Sequence, residues 1–327
     1  MEIGVYCMNM HHGIGLEAFL GRPFPPGLAI STETMAAVAD FAEDARLDSL
    51  WFGDHVIFPS RTASPHPSSG HMDGADIRVN EPVFDPLAVM SWLGARAERV
   101  RLGFSVLVIP YRNPVVMAKF LSSLDVLTDG RIILGTGVGM MEEEFDAVDA
   151  SFKDRGPVTD EYLQVMRELW TAEHPVFDGQ HYRLPADLHF LPKPVNGTIP
   201  VWIGGSTKRA LRRAAHLGDG WLAVYQTHDE IRTKWDQLQQ LAAAEDRDPG
   251  TLTLAHQMRF FVNDEPYPDA PPGVGSVSKV AEDIARFAEL GVRHLELAPP
   301  PGPTTDAILR QLGLFVEHVR PQLGANV

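Results

Sequence analysis

Short apolar runs alternate strictly with amphipathic runs along this chain, and no other feature restricts its fold as much. The strand-like runs cover residues 3–8, 49–53, 101–108, 132–136, 201–204, 221–224, 252–262 and 294–298. The helix-like runs cover 33–46, 86–98, 114–127, 160–171, 208–217, 229–244, 277–290 and 306–319. Strands that alternate with helices pair in parallel and need crossover helices. Eight repeats predict an α/β fold closed as a (β/α)₈ TIM barrel, ahead of an open doubly wound sheet. The 327 residues suit one large domain, 1–327, and no repeat or linker tract divides them.

Local punctuation agrees. Asn113-Pro114 reads as an N-cap followed by a first-turn proline. Thr128-Asp129-Gly130-Arg131 and Leu217-Gly218-Asp219-Gly220 end helices and launch strands, so Asp129 and Asp219 read as turn residues. Segments 9–32, 56–85 and 263–276 follow strands and are long, which puts binding loops on the C-terminal face of a barrel. Segment 174–199 follows a helix instead, and 177–182 reads as a hairpin.

The 43 acidic residues against 28 basic ones give a formal charge of -15. Such a surface repels phosphate backbones and anionic lipid, which excludes nucleic acid and membrane as partners and leaves a small-molecule substrate. No stretch reaches the ~18 apolar residues of a membrane span, and no signal peptide is visible, so a cytoplasmic protein is expected. Cys7 is the only cysteine and falls in the apolar first strand, where an inert buried thiol is expected.

Three strand ends carry candidate chemistry. Asp54 and His55 close the second strand, where they face a barrel mouth; histidine is the commonest general acid or base, and a buried imidazole satisfied by the adjacent loop is the competing reading. Gly135, Gly137 and Gly139 strip the Cβ from the end of the fourth, so that a flat ligand or a phosphate can approach the backbone. A Rossmann fingerprint needs G-x-G-x-x-G in the first βα unit and an acid closing a later strand, and this chain has neither. Glu142, Glu143 and Glu144 then open a helix and read mainly as solvated, dipole-matched carboxylates. Gly204-Gly205-Ser206-Thr207 offers free N–H groups and a hydroxyl at a helix start, beside Lys208 and Arg209, and reads as an anion turn. His11, His12, His66, His71 and Asp73 lie in the long loops without metal-ligand spacing, so no metal is expected.

The set formed by 47–55, 102–114, 124–145, 160–163, 200–209 and 218–221 resembles the bacterial luciferase-like family, and within it the coenzyme F420-dependent oxidoreductases. The resemblance implies a TIM barrel that lays a flavin or deazaflavin across its C-terminal mouth. It implies His55 as proton donor or acceptor, and Asp54 holding cofactor or substrate. It implies a non-prolyl cis peptide at Ser105-Val106, with Ser105, Val106 and Leu107 behind the ring. Gly137, Val138 and Gly139 then border the ring or its ribityl tail, and Gly204, Gly205 and Ser206 take the phosphate.

The chain departs from the sugar-phosphate dehydrogenase branch in having Met140 or Met141 where that branch has an acid, and in placing Trp51 before Asp54-His55. The latter suggests a bulkier, less polar substrate. The leading expectation is therefore hydride transfer between F420 and a small organic substrate. An FMN-dependent, two-component monooxygenase is the alternative, followed by a non-catalytic flavin-binding barrel and then a metal-dependent hydrolase. A homodimer is expected from the family's habit of pairing through exposed helices.

Overall fold

A computed structural model describes residues 1–7, 9, 30–59, 82–264, 270–299 and 304–324. His11, His12, His66, His71 and Asp73, with most of the first two long loops, lie outside the described residues.

Eight parallel staves close into a barrel: β1 (Glu2–Tyr6), β2 (Ser49–Phe52), β3 (Arg101–Phe104) continued by β4 (Leu107–Val108), β5 (Ile132–Gly137), β6 (Val201–Gly204), β7 (Gly220–Val224), β8 (Thr253–Arg259) and β11 (His294–Ala298). β1 pairs with both β2 and β11, and the pairing of β3 with β5, Leu102 opposite Ile132, shuts the ring. Between them run α1 (Thr32–Asp44), α2 (Pro86–Gly94), α3 (Pro114–Leu127), a short α4 (Glu142–Ala147), α5 (Arg155–Thr171), α6 (Lys208–Leu217), α7 (His228–Ala244), α8 (Val277–Glu289) and α9 (Thr305–Leu314). The predicted fold class is the one observed.

Two predicted strands are split. The run 101–108 leaves the ladder at Ser105-Val106, whose peptide bond is cis as expected, and rejoins β5 one step further on. The run 252–262 ends as a barrel stave at Arg259; β9 (Phe261–Val262) then pairs with β10 (Val274–Gly275) outside the barrel. An apolar pattern cannot show where a strand changes partner, because both halves stay buried.

Polar groups fix the helix starts. Asp85 caps α2 and Asn113 caps α3, each ahead of a first-turn proline. Thr227 and Glu230 form a reciprocal capping box on α7. Residues 177–184 form the expected hairpin, with Leu184 N–H donating to Phe177 O; Glu161 accepts from the N–H groups of Gln180, His181 and Tyr182.

Trp51 is fully buried inside the barrel, stacked 5.5 Å from Trp202, with its Nε1–H on Ser49 Oγ at 2.7 Å. Gly4 and Gly103, its neighbours on β1 and β3, leave it that space: a Cβ on either would come within 2.6 Å of the indole. The substrate inference drawn from Trp51 is therefore corrected. It is a core filler, and its size says nothing about the ligand. Cys7 is buried as expected, and burial pushes its thiol pKa up.

Candidate active site

The C-terminal ends of β2, β5, β6 and β7 open on one cleft of about 1830 Å³. His55, Ser105, Val106, Gly137–Gly139 and Gly204–Ser206 all border it. These residues come from four separate regions of the chain, and the barrel brings them together.

His55 is partly exposed and tilts against Phe58, with ring centroids 4.6 Å apart. Its Nδ1 lies 2.9 Å from Glu144 Oε2. That carboxylate is buried and also accepts from Tyr111 Oη at 2.9 Å and from Val56 N–H at 2.8 Å. Burial alone raises a carboxyl pKa, but here the hydrogen bonds from His55, Val56 and Tyr111 outweigh it and hold Glu144 below its ordinary value. An ionised Glu144 can only accept, so His55 Nδ1 carries the proton. Nε2, which has no partner among the described residues, is left as the exchangeable position.

Glu144 escaped the sequence reading, which grouped it with Glu142 and Glu143. Glu142 is exposed and Glu143 half-buried, but Glu144 lies three residues after buried Met141 and beside buried Phe145. An acid on the apolar face of a short helix was the available signal.

Asp54 is engaged by the protein itself. Its carboxylate takes a bidentate ion pair from Arg112, at 2.6 and 2.8 Å, and the Val108 N–H at 2.8 Å. The side chain is 0% exposed and fixes β4, and Asp54 borders the cleft beside His55. Arg112 stood in the quoted motif without an assigned part.

Leu107 is also corrected. It is fully buried and off the cleft, whereas Val106 and Val108 on either side of it border the cavity, as alternation along a strand requires.

The glycines have a double purpose. A Cβ on Gly137 would lie 2.5 Å from Val106 Cγ2, and one on Gly204 2.7 Å from Val106 Cγ1. Their bareness admits the Val106 side chain between two strand ends, and Val106 in turn borders the cleft. Beyond it Gly205 adopts φ +93°, with its carbonyl accepting from Trp221 Nε1 at 2.7 Å. Thr207 caps α6, and the first-turn N–H groups of Lys208 and Arg209 have no intrahelical acceptor.

A buried hydrogen-bonded layer lies below. Gln257 Nε2 donates to Ser105 Oγ at 3.2 Å and to Glu296 Oε1 at 2.5 Å. Burial pushes the Glu296 pKa up to about 8, against the hydrogen bonds from Gln257 and Ser105. Neither Gln257 nor Glu296 was anticipated, since single polar residues in apolar strands give no motif.

The arrangement fits a long, flat, anionic cofactor: an apolar prop at Val106, a turn of open amides at one end and an imidazole bordering the same space. No group of three or more His, Cys, Asp or Glu among the described residues could hold a metal ion. No helix among the described residues is long and apolar enough to cross a membrane.

Residues 1–267 match the model of a family described as luciferase-like monooxygenase. The chain is 29% identical over 297 residues to an uncharacterised protein of Mycobacterium tuberculosis, covering 90% of this chain and 95% of that one. It is 36% identical over 144 residues to an F420-dependent glucose-6-phosphate dehydrogenase of Nocardia farcinica, 42% of each chain. Among solved structures, an F420-dependent secondary alcohol dehydrogenase bound to an F420–acetone adduct superimposes with TM-score 0.73 at 18% identity, covering 99% of both chains. A monooxygenase from Streptomyces bottropensis does so with TM-score 0.74 at 19% identity, covering 98% of this chain and 99% of that one.

Proposed function

Because the chain belongs to the luciferase-like monooxygenase family, a family of oxidoreductases, we propose that it is a coenzyme F420-dependent oxidoreductase acting on a small organic substrate. The observation that carries this reading is that the His55–Glu144 pair and the Gly204–Ser206 turn open on the same cleft, which Val106 also borders as an apolar prop. The F420-dependent dehydrogenase among the relatives and the F420-bound alcohol dehydrogenase among similar folds support this cofactor over FMN.

When bound, the deazaflavin supplies or takes up a hydride at C5. The chain's own residues do the rest. Glu144 holds the His55 Nδ1–H, so Nε2 gains or loses the substrate proton while the ring keeps one orientation. Tyr111 and the Val56 N–H keep Glu144 ionised, which stabilises the imidazolium when it forms. Amides at the start of α6 hold the phosphate, with Ser206 adding a hydroxyl. Asp54 and Arg112 position β4, and through it the segment carrying Val106.

Titration of the purified protein with F420 and with FMN, followed by cofactor fluorescence, tests the reading. Saturable F420 binding with weak FMN binding is expected. The reverse order would move the protein to the FMN-dependent monooxygenase reading, which the family's own description and the Streptomyces bottropensis structure favour. Oxygen consumption with reduced FMN would then be the decisive signal.

A further inference from the structure

The helix that receives the phosphate carries more positive charge than a phosphate uses. α6 holds Lys208, Arg209, Arg212, Arg213 and His216 without one acid in its ten residues, in a chain whose net charge is -15. Two of these are engaged: Arg213 with Asp160, and His216 with Glu245 at 2.9 Å. Lys208, Arg209 and Arg212 are exposed on the cleft wall, with no side-chain partner among the described residues.

Lys153 and Arg155 border the same cavity. The Arg155 guanidinium is held over the Phe152 ring at 3.9 Å, and its Nε is buried without a hydrogen-bond partner. Acids also border the cleft: Glu142, Glu143 and Asp146 belong to α4, the helix that carries Glu144, while Asp160 and Glu245 are taken up by Arg213 and His216. The cleft is thus bipolar, with its cations gathered on α6 and at the start of α5.

A lining of this kind suits an anion that is a chain rather than a point. A free polyanion such as nucleic acid meets the repulsion of the whole acidic surface, whereas a chain tethered to a group already seated in the cleft does not have to approach from outside. FMN ends at its phosphate. F420 continues past its phosphate into a lactyl–oligoglutamate chain with one carboxylate per added glutamate.

We propose that Lys208, Arg209 and Arg212, with Lys153 and Arg155, form a subsite for the polycarboxylate tail of the deazaflavin. This rests on the F420 reading and deepens it. Each exposed pair contributes up to about fivefold in affinity and weakens with salt, so several together read as about 10- to 100-fold.

The test titrates the full-length protein with three probes, read by deazaflavin fluorescence: F420 without glutamate, F420 with one or two, and F420 with five or more. At low salt the longest form is expected to bind at least tenfold tighter than the form without glutamate. That gain is expected to shrink severalfold in 0.5 M salt. A Lys153→Gln/Arg212→Gln variant, both exposed positions, is expected to bind the tail-less form within about twofold of wild type and to lose most of the tail-length gain. Equal affinity for all three forms overturns the tail subsite and leaves the F420 reading intact, as does a variant that keeps the full gain. Binding of FMN with no binding of any F420 form overturns both.

Discussion

His55 and Glu144 stand 89 residues apart in the chain, and in the fold their Nδ1 and Oε2 atoms are 2.9 Å apart. One residue closes a barrel strand and the other sits in the first turns of a six-residue helix, so barrel closure is what makes the pair. The carboxylate sets which imidazole nitrogen is available for proton transfer.

This relationship gives the first prediction. His55→Ala lowers turnover by roughly 10²–10⁴-fold while F420 affinity, read by fluorescence, stays within a few-fold. Glu144→Gln keeps the shape but removes the demand for a proton on Nδ1, and is expected to lose about 10²-fold in turnover. Unchanged turnover in both variants would remove His55 from the chemistry.

The Glu144 carboxylate also implies a pH dependence of stability. Its folded pKa lies below the unfolded one, despite the opposing effect of burial, because of the hydrogen bonds from His55, Val56 and Tyr111. Its contribution is therefore complete above the ordinary carboxylate range and is lost as pH falls through the lowered value. Thermal melts from pH 7 down to pH 3 should show an acid-side loss that is smaller in Glu144→Gln than in wild type.

Glu296 has the opposite sign. Its folded pKa of about 8 exceeds the ordinary 4.5, so the unfolded chain releases this proton first. Its contribution is complete below pH 4.5 and declines as pH rises towards 8, by up to about 1.4 kcal/mol per pH unit. Glu296→Gln stays neutral and should melt above wild type at pH 8, with the difference closing or reversing at pH 5. A parallel offset at every pH would rule out a neutral buried carboxyl.

The Asp54–Arg112 pair predicts an effect on stability. Arg112→Ala strips the bidentate partner from a carboxylate with no exposure and is expected to destabilise the fold by about 3–5 kcal/mol in urea unfolding. Asp54→Asn/Arg112→Met, which removes both charges, should cost less than that single change.

Val106 and Gly137 make a cleaner packing test, since a Cβ on Gly137 meets nothing but Val106 within 4 Å. Gly137→Ala is expected to cost about 1–3 kcal/mol by overpacking. Val106→Ala in the same chain should return part of it, giving a coupling of about 0.5–3 kcal/mol in a double-mutant cycle. Strict additivity would show that the glycine is bare for another reason.

Periodicity and glycine placement in the amino-acid order were enough to fix the barrel, the eight-unit order and the strand ends that open on the cleft. These are local signals, because the side-chain period and the turn residues are written within a few positions of one another. The anion turn was legible for the same reason, with glycines, hydroxyls and a helix start contiguous at 204–208. The partners were not legible. Glu144 beneath His55, Arg112 on Asp54, Gln257 and Glu296 below Ser105, and Val106 in the space left by two glycines are contacts between distant segments. The apolar face of α4 marks Glu144 as the acid that is buried, but which groups it meets depends on what packs over it once the ring closes, and no spacing along the chain encodes that.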